Sequence, residues 1–364
     1  MIKRRKTREV KIGNLVIGGE NPIRVQSMTN TKTTDIEGTV KQILGLENAG
    51  CELVRVTAPT IEAARAIGDI KKQIHIPLVA DIHFQYLFAI EAIKQGVDKI
   101  RINPGNIGGK DNVKEVVKAC KSRGIPIRIG INMGSLEKDL FERFGGKGIS
   151  YVMLKSAERN IKILEELDFF DIVVSLKGSD VPTTVEAYEL FSKEFDYPVH
   201  VGITEAGTLE NGSIKSAVGI GSVLSRGIGD TLRVSLSADP MEEVKVGWQI
   251  LKSLGLRQRG INFVSCPTCG RTEIDLIGLA NRVEKALSRV EAPITVAVMG
   301  CVVNGPGEAS FADIGLCGGR GQAAIFRGKK LVATVKESEA FERFLVEVKK
   351  VLIEKGFEKD ADKI

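Results

Sequence analysis

The sequence predicts an α/β protein in two parts. An N-terminal (β/α)8 TIM barrel occupies residues 1–255, and a smaller α/β domain occupies 256–364. Three observations carry this expectation. Short apolar, β-branched runs ending in polar residues recur eight times, and segments with helical periodicity separate them. The Gly-x-Gly-x-x-Gly signature of an open dinucleotide-binding sheet is missing after the first run. Beyond residue 255 the pattern changes to cysteines set among glycines.

In chain order, Glu9–Ile12 and Leu15–Ile17 read as short strands meeting at Gly13-Asn14. The eight barrel strands are expected at 23–27, 53–57, 78–83, 99–103, 127–132, 172–177, 199–205 and 232–235. Helical patterns lie at 37–49, 61–72, 87–95, 113–122, 157–167, 185–195 and 217–224, with a last barrel helix and basic connector across 245–259. In the second domain, 273–289 reads as a helix and 294–299 as a strand. A hairpin of 323–326 with 331–335 follows, then a long amphipathic helix over 337–355. The Asn304-Gly-Pro-Gly sequence reads as a turn.

Composition removes several function classes. The net charge of +6 is mild, aromatics make up 5%, and no basic run is interleaved with aromatics, which argues against nucleic acid as a partner. The one dense basic run, Lys3-Arg-Arg-Lys6, reads as a solvated terminus. No apolar stretch approaches the length of a membrane span, and no signal-type run follows the basic start. Six cysteines are too few for a disulfide scaffold in a chain this long, so a reducing compartment, the cytoplasm, is expected.

In a barrel, residues at the carboxyl ends of the strands face the mouth where active sites lie. There the sequence places Arg55, Arg101, Arg128, Lys177 and Arg233, together with Gln26, Asp81, His83, Asn103, Asn132, Ser175, His200, Glu205 and Ser235. At an effective dielectric of about 20, like unit charges about 4 Å apart repel by about 4 kcal/mol. Asp81 and Glu205 offset only part of that repulsion. Five basic groups on five strands therefore point to a polyanion, and the arginine fork suits phosphate oxygens.

The cysteines form the second constellation. Cys266-Pro-Thr-Cys269 precedes Gly300-Cys301-Val-Val-Asn304-Gly-Pro-Gly-Glu308 by about thirty residues. Three thiols and a carboxylate suit an iron–sulfur cluster with one weakly held iron. A structural zinc site with Cys317 as fourth ligand, and a redox dithiol, are open alternatives on spacing alone. Cys51 and Cys120 read as ordinary core residues.

Sequence blocks along nearly the whole chain resemble those of the 4-hydroxy-3-methylbut-2-enyl diphosphate synthases, the IspG (GcpE) family, in its compact bacterial form. They are Val25-Gln-Ser-Met-Thr-Asn-Thr31, Val79-Ala-Asp-Ile-His83, Arg101-Ile-Asn-Pro-Gly-Asn-Ile-Gly108, Gly202-Ile-Thr-Glu-Ala-Gly207 and Gly229-Asp-Thr-Leu-Arg-Val-Ser235. Arg259-Gly-Ile-Asn262 and the two cysteine blocks complete the set. The resemblance implies a barrel followed by a cluster domain, and the reductive ring opening and dehydroxylation of 2-C-methyl-D-erythritol 2,4-cyclodiphosphate. It also implies a [4Fe-4S] cluster held by Cys266, Cys269, Cys301 and Glu308, with Cys317 matching no ligand. Ferredoxin or flavodoxin is the implied electron donor, and a head-to-tail homodimer the implied assembly. With the charge argument, the resemblance gives Arg55, Arg101, Arg128, Lys177, Arg233, Ser235, Asn132 and His83 as expected diphosphate contacts. Glu205, expected to be partly desolvated, is the candidate proton donor. Glu308, a weaker ligand than a thiolate, is the second candidate catalytic group. The rival readings are a pterin-type barrel transferase and a zinc-containing binding module.

Overall fold

Residues 2–83 and 85–364 are described by a computed structural model. Two short strands, β1 (Val10–Ile12) and β2 (Leu15–Ile17), pair antiparallel at the start of the chain. Eight parallel strands follow: β3 (Arg24–Met28), β4 (Leu53–Thr57), β5 (Leu78–Asp81), β6 (Lys99–Ile102), β7 (Ile127–Asn132), β8 (Ile172–Lys177), β9 (His200–Val201) and β10 (Thr231–Leu232). Their order is β8-β7-β6-β5-β4-β3-β10-β9, and a parallel bridge between Val174 and Val199 nearly closes the ring.

Helices α1 (Ile36–Asn48), α2 (Ile61–Lys71), α3 (Tyr86–Lys94), α4 (Lys110–Arg123), α5 (Lys138–Phe144), α6 (Ile149–Glu165), α7 (Val181–Glu194), α8 (Leu209–Ser225) and α9 (Pro240–Ser253) accompany the strands. Outward-pointing strand residues such as Val54, Val56, Ile100 and Ile129 pack with helix residues such as Ile43, Ile67 and Ile93 in one continuous core. Removing such side chains from water is the main favourable contribution to the fold. Cys51 and Cys120 are buried in it, as expected.

The barrel has an apolar floor. Val10, Ile12 and Ile17 of the β1–β2 hairpin pack with Leu53, Val79 and Val173. The basic terminus departs from expectation, because two of its arginines are tied down. Arg4 pairs with Asp230 at 3.0 Å, and Arg5 donates to the carbonyls of Phe195 and Tyr197, each at 2.6 Å. Carbonyls at and just past the C-terminus of α7 need donors, and guanidinium groups supply several at once.

Element boundaries differ from expectation where caps decide them. The last barrel helix begins at Pro240, capped by Asp239, and stops at Ser253 before the left-handed Gly255. The start is five residues earlier than 245, and residues 256–259 lie outside the helix as the expected connector. Helix α6 begins eight residues before its expected start and follows the unexpected α5. The regular ladder at 199–205 is only His200–Val201.

Contacts divide the chain into two units, Met1–Arg257 and Gln258–Ile364. The second holds a five-stranded sheet, β11 (Asn262–Ser265), β12 (Thr295–Met299), β13 (Ile314–Gly319), β14 (Gln322–Arg327) and β15 (Lys330–Lys336), in that order. Helices α10 (Leu276–Ala286), α11 (Gly305–Ala309), α12 (Glu337–Glu354) and α13 (Glu358–Ala361) complete it. The hairpin and the long helix stand where expected. Two strands, β11 and β13, have no counterpart among the expected elements, and β13 is the glycine-rich Ile314-Gly-Leu-Cys-Gly-Gly319. Its glycines instead allow close packing: a Cβ on Gly315 would lie 2.5 Å from that of Ala309. The expected 273–289 helix starts only at Leu276, where the Asp275 carboxylate accepts from Gly278 N–H at 3.0 Å. The expected turn at Asn304 is the start of α11, with Pro306 in its first turn. No helix among the described residues is long and apolar enough to cross a membrane.

Candidate active site: a cationic barrel interior and a cysteine-bearing strand end

Above the apolar floor the barrel interior turns polar, through alternation along the strands. In β6, Lys99 and Arg101 share a face; across the ladder Arg101 is level with Arg128 on one side and Asp81 on the other. Arg101 reaches Asp81 at 3.2 Å and the Gly130 carbonyl at 3.3 Å. Gly130 has no side chain because the Arg101 guanidinium occupies that space. Arg55 approaches Asp81 at 3.7 Å, and its Nε and Nη2 lie 3.0 and 2.8 Å from Met28 Sδ. Burial, opposed by Asp81 but reinforced by Arg233 and Arg101, pushes the Arg55 guanidinium down to about 10. Despite burial, Arg55, Arg101 and the other nearby cations hold the Asp81 carboxyl below its usual range.

The five basic groups do converge, but deeper than expected. Arg128 is the second residue of β7 and Arg55 the middle residue of β4, so both lie within the barrel rather than at strand ends. Arg128 is 1% exposed, and its Nε and Nη1 have no hydrogen-bond partner among the described residues. Burial and the neighbouring Arg55 and Arg101 act against its charge. A guanidinium keeps its proton, so that pressure amounts to an unmet need for an anion.

Lys177 and Arg233 are held by residues outside the expected set. His200 opens β9 rather than ending it, and is fully buried. Its Nε2 lies 3.2 Å from Lys177 Nζ, and its Nδ1 2.8 Å from Thr231 Oγ1. Burial, then Lys177 and Arg128, hold the imidazole neutral, far below its ordinary pKa. In that state Nδ1–H donates to Thr231 and Nε2 accepts from the lysine. Gly202 leaves room for the amine, since a Cβ there would sit 2.7 Å from Lys177 Nζ. Burial, then Arg128 and Arg55, lowers the Lys177 pKa well below its usual value. Arg233 forms a two-pronged pair with Glu243 of α9, each contact 3.2 Å, and Glu243 also accepts from Ser27 Oγ and Leu236 N–H. Sequence reading missed Glu243, because a carboxylate on an outer helix carries no local sign that it faces inward. It also missed Lys99, whose one signal is its spacing of two from Arg101.

The remaining expected contacts lie towards the strand ends. Asn132 closes β7, half-buried, and Ser235 follows β10 at similar exposure. His83 lies just past β5, with Nε2 3.9 Å from Asp81 Oδ2. Glu205 departs from expectation: it is exposed rather than desolvated, and its backbone is left-handed with φ 52°. Such backbone strain in a non-glycine residue concentrates at functional positions.

In the second unit, parallel β11 and β12 run side by side and end at Ser265 and Met299. Cys266 and Cys301 follow at the same end of the sheet, and Gly300 N–H donates to Cys266 Sγ at 3.3 Å. Backbone N–H groups of Asn304, Val303 and Gly305 lower the Cys301 pKa. Cys269 is lowered by the backbone and guanidinium of Arg271, which feels the charge of both Cys269 and Cys301. Cys317 differs. It lies inside β13, fully buried, and burial pushes its thiol up to about 12. Glu308 is exposed on α11. Among the described residues, no three His, Cys, Asp or Glu side chains are close enough together to hold a metal ion. The donor chemistry nevertheless suits a soft metal centre. Two thiols sit where the thiolate is favoured, and Gly270 and Gly307 leave open space beside Cys269 and Glu308.

Fold and site together define a (β/α)8 barrel with a cationic interior, followed by a second, thiol-bearing α/β unit. Comparison with known proteins narrows the class. Residues 7–248 match the GcpE TIM-barrel domain and residues 262–350 the GcpE protein C-terminal domain. This chain belongs to the GcpE family. A protein from Caldanaerobacter subterraneus named 4-hydroxy-3-methylbut-2-en-1-yl diphosphate synthase (flavodoxin) is 58% identical over 97% of this chain and 100% of its own length. A Geobacillus thermodenitrificans protein of the same name is 57% identical over 100% of this chain and 96% of its own. Among solved structures, dihydropteroate synthases from Yersinia pestis and Stenotrophomonas maltophilia each superpose with TM-score 0.50. They are 12% and 15% identical, each over 68% of this chain, covering 98% and 99% of their own chains. That likeness is one of fold alone, and it gives no support to a pterin transferase.

Proposed function

We propose that this chain catalyses the reductive ring opening and dehydroxylation of 2-C-methyl-D-erythritol 2,4-cyclodiphosphate to (E)-4-hydroxy-3-methylbut-2-enyl diphosphate, in the cytoplasm. The observation that carries the reading is the buried Arg128, whose Nε and Nη1 have no hydrogen-bond partner among the described residues while Arg55 and Arg101 lie near. A diphosphate supplies both the acceptors and the charge. Residues 1–255 form the substrate-binding domain and 256–364 the cluster domain. Arg55, Arg101, Arg128, Lys177 and Arg233 bind the diphosphate, with Ser235, Asn132 and His83 towards the open end. Asp81 and Glu243 orient the arginines, and His200 keeps Lys177 in place.

The reaction takes up two electrons and two protons and releases water. Cys266, Cys269, Cys301 and Glu308 would hold a [4Fe-4S] cluster, which when bound supplies the electrons one at a time. Glu205, exposed and left-handed in backbone, delivers a proton to the departing hydroxyl in this reading. The electron donor is a small carrier of the flavodoxin or ferredoxin kind, and two copies pair head to tail.

Anaerobic reconstitution with iron and sulfide, then incubation with the cyclic diphosphate and a strong one-electron reductant, tests the reading. Product should form only with the reconstituted protein. Cys269→Ser should lose its iron, whereas Cys317→Ser should keep it. A colourless protein holding one zinc through Cys317 would refute the ligand assignment.

A further inference from the structure

We propose that Lys99 is an additional phosphate-binding residue, its Nζ forming the floor of the anion site. The proposal rests on the diphosphate reading above and adds to it a residue that neither the charge pattern nor the family resemblance singled out. Lys99 sits at a boundary. Its ladder partner is Val79, which belongs to the apolar floor with Leu53, Val173 and the hairpin residues. Two residues further along the same strand face, Arg101 is level with Arg128. The lysine is fully buried, and its Nζ has no hydrogen-bond partner among the described residues.

A purely structural role would be better served by an apolar side chain. An amine buried without an acceptor loses its hydration and gains nothing. The charged groups acting on Lys99 are Arg128 of β7 and Arg55 of β4, and it acts in turn on His200 of β9. All are basic. Asp81 spends its attraction on Arg55, Arg101, His83 and Arg128. The same interior also buries both amide atoms of Gln26 and the Nε and Nη1 of Arg128, all without a hydrogen-bond partner among the described residues. A phosphate group held by Arg55 and Arg128 provides the missing acceptor and counter-charge. Burial, then Arg128 and Arg55, lowers the free amine's pKa far below its usual value. A bound phosphate opposes that pressure and favours the protonated amine as the anion enters.

Calorimetric titration of the full-length, reconstituted protein with inorganic pyrophosphate tests this. Lys99→Met should weaken binding about tenfold or more, while its melting temperature rises because an unpaired buried amine is gone. Titrations in two buffers of different ionisation enthalpy should show the wild type taking up more protons per pyrophosphate than the variant. If Lys99→Met does not fold, Lys99→Gln carries the same expectations for affinity and proton uptake. Wild-type affinity and proton uptake in the folded variant would overturn the proposal. Arg128→Met separates the two readings. Lost binding there with unchanged binding in Lys99→Met removes only the lysine assignment; unchanged binding in both, or no pyrophosphate binding by the wild type, removes the diphosphate site itself.

Discussion

His200 shows how much of this site depends on single buried contacts. Its imidazole must stay neutral to accept from Lys177 while donating to Thr231. The cations around it, Lys177, Arg128, Lys99 and Arg55, oppose its protonation along with burial. The unfolded chain binds a proton at this histidine below about pH 6.5. The folded chain does so only at much lower pH. Stability from this residue is therefore complete above about 6.5 and is lost as pH falls from there towards the folded pKa. The slope is about 1.4 kcal/mol per pH unit. Denaturant unfolding of wild type and His200→Gln between pH 7.5 and 5 checks it: the wild type should show the steeper loss. Parallel curves would mean that the native imidazole binds its proton as readily as that of the unfolded chain.

At the level of elements, glycines decide where strands can carry chemistry. Gly130 and Gly202 leave barrel-interior space for Arg101 and Lys177. In the second unit, Gly315 lets α11 lie against β13, and Gly305 abuts Cys317 Sγ and Met299 Cβ, each 3.1 Å from where its Cβ would be. Cys301 and Glu308 flank the start of α11 and its last turn, so the fit of this short helix sets their separation. Gly315→Ala would drive a methyl group into Ala309 and displace α11. We expect the variant to fold but to retain little iron after reconstitution, measured as iron and sulfide per chain. Cys317→Ser, which leaves that packing nearly unchanged, should load as the wild type does. Normal loading by Gly315→Ala would show that α11 has no part in placing the ligands.

For the whole molecule, the proposed head-to-tail pairing makes a definite prediction. A Cys301→Ser chain lacks a cluster ligand, and a Glu205→Ala chain lacks the proposed proton donor. Each alone should be inactive. Mixed dimers contain one pairing in which an intact cluster domain meets an intact barrel, so mixing should restore part of the activity. A mixture as inactive as its components would place both groups in the same chain's site. Identity with the named synthases over the whole chain, and not only its barrel, agrees with both units being needed.

The alternation of apolar strands with helical segments was legible in the sequence, as were the five cations and the cysteine pattern. Each is a local period or a short spacing, and hydrophobic burial enforces such periods wherever the chain folds. Other features depend on residues far apart in the chain. The depth of Arg55 and Arg128, the carboxylate of Glu243 behind Arg233, the capture of Arg4 by Asp230, and the isolation of Lys99 came only with the tertiary structure. A side chain's type is written locally, but its partners and its access to water are set by which strands and helices close around it.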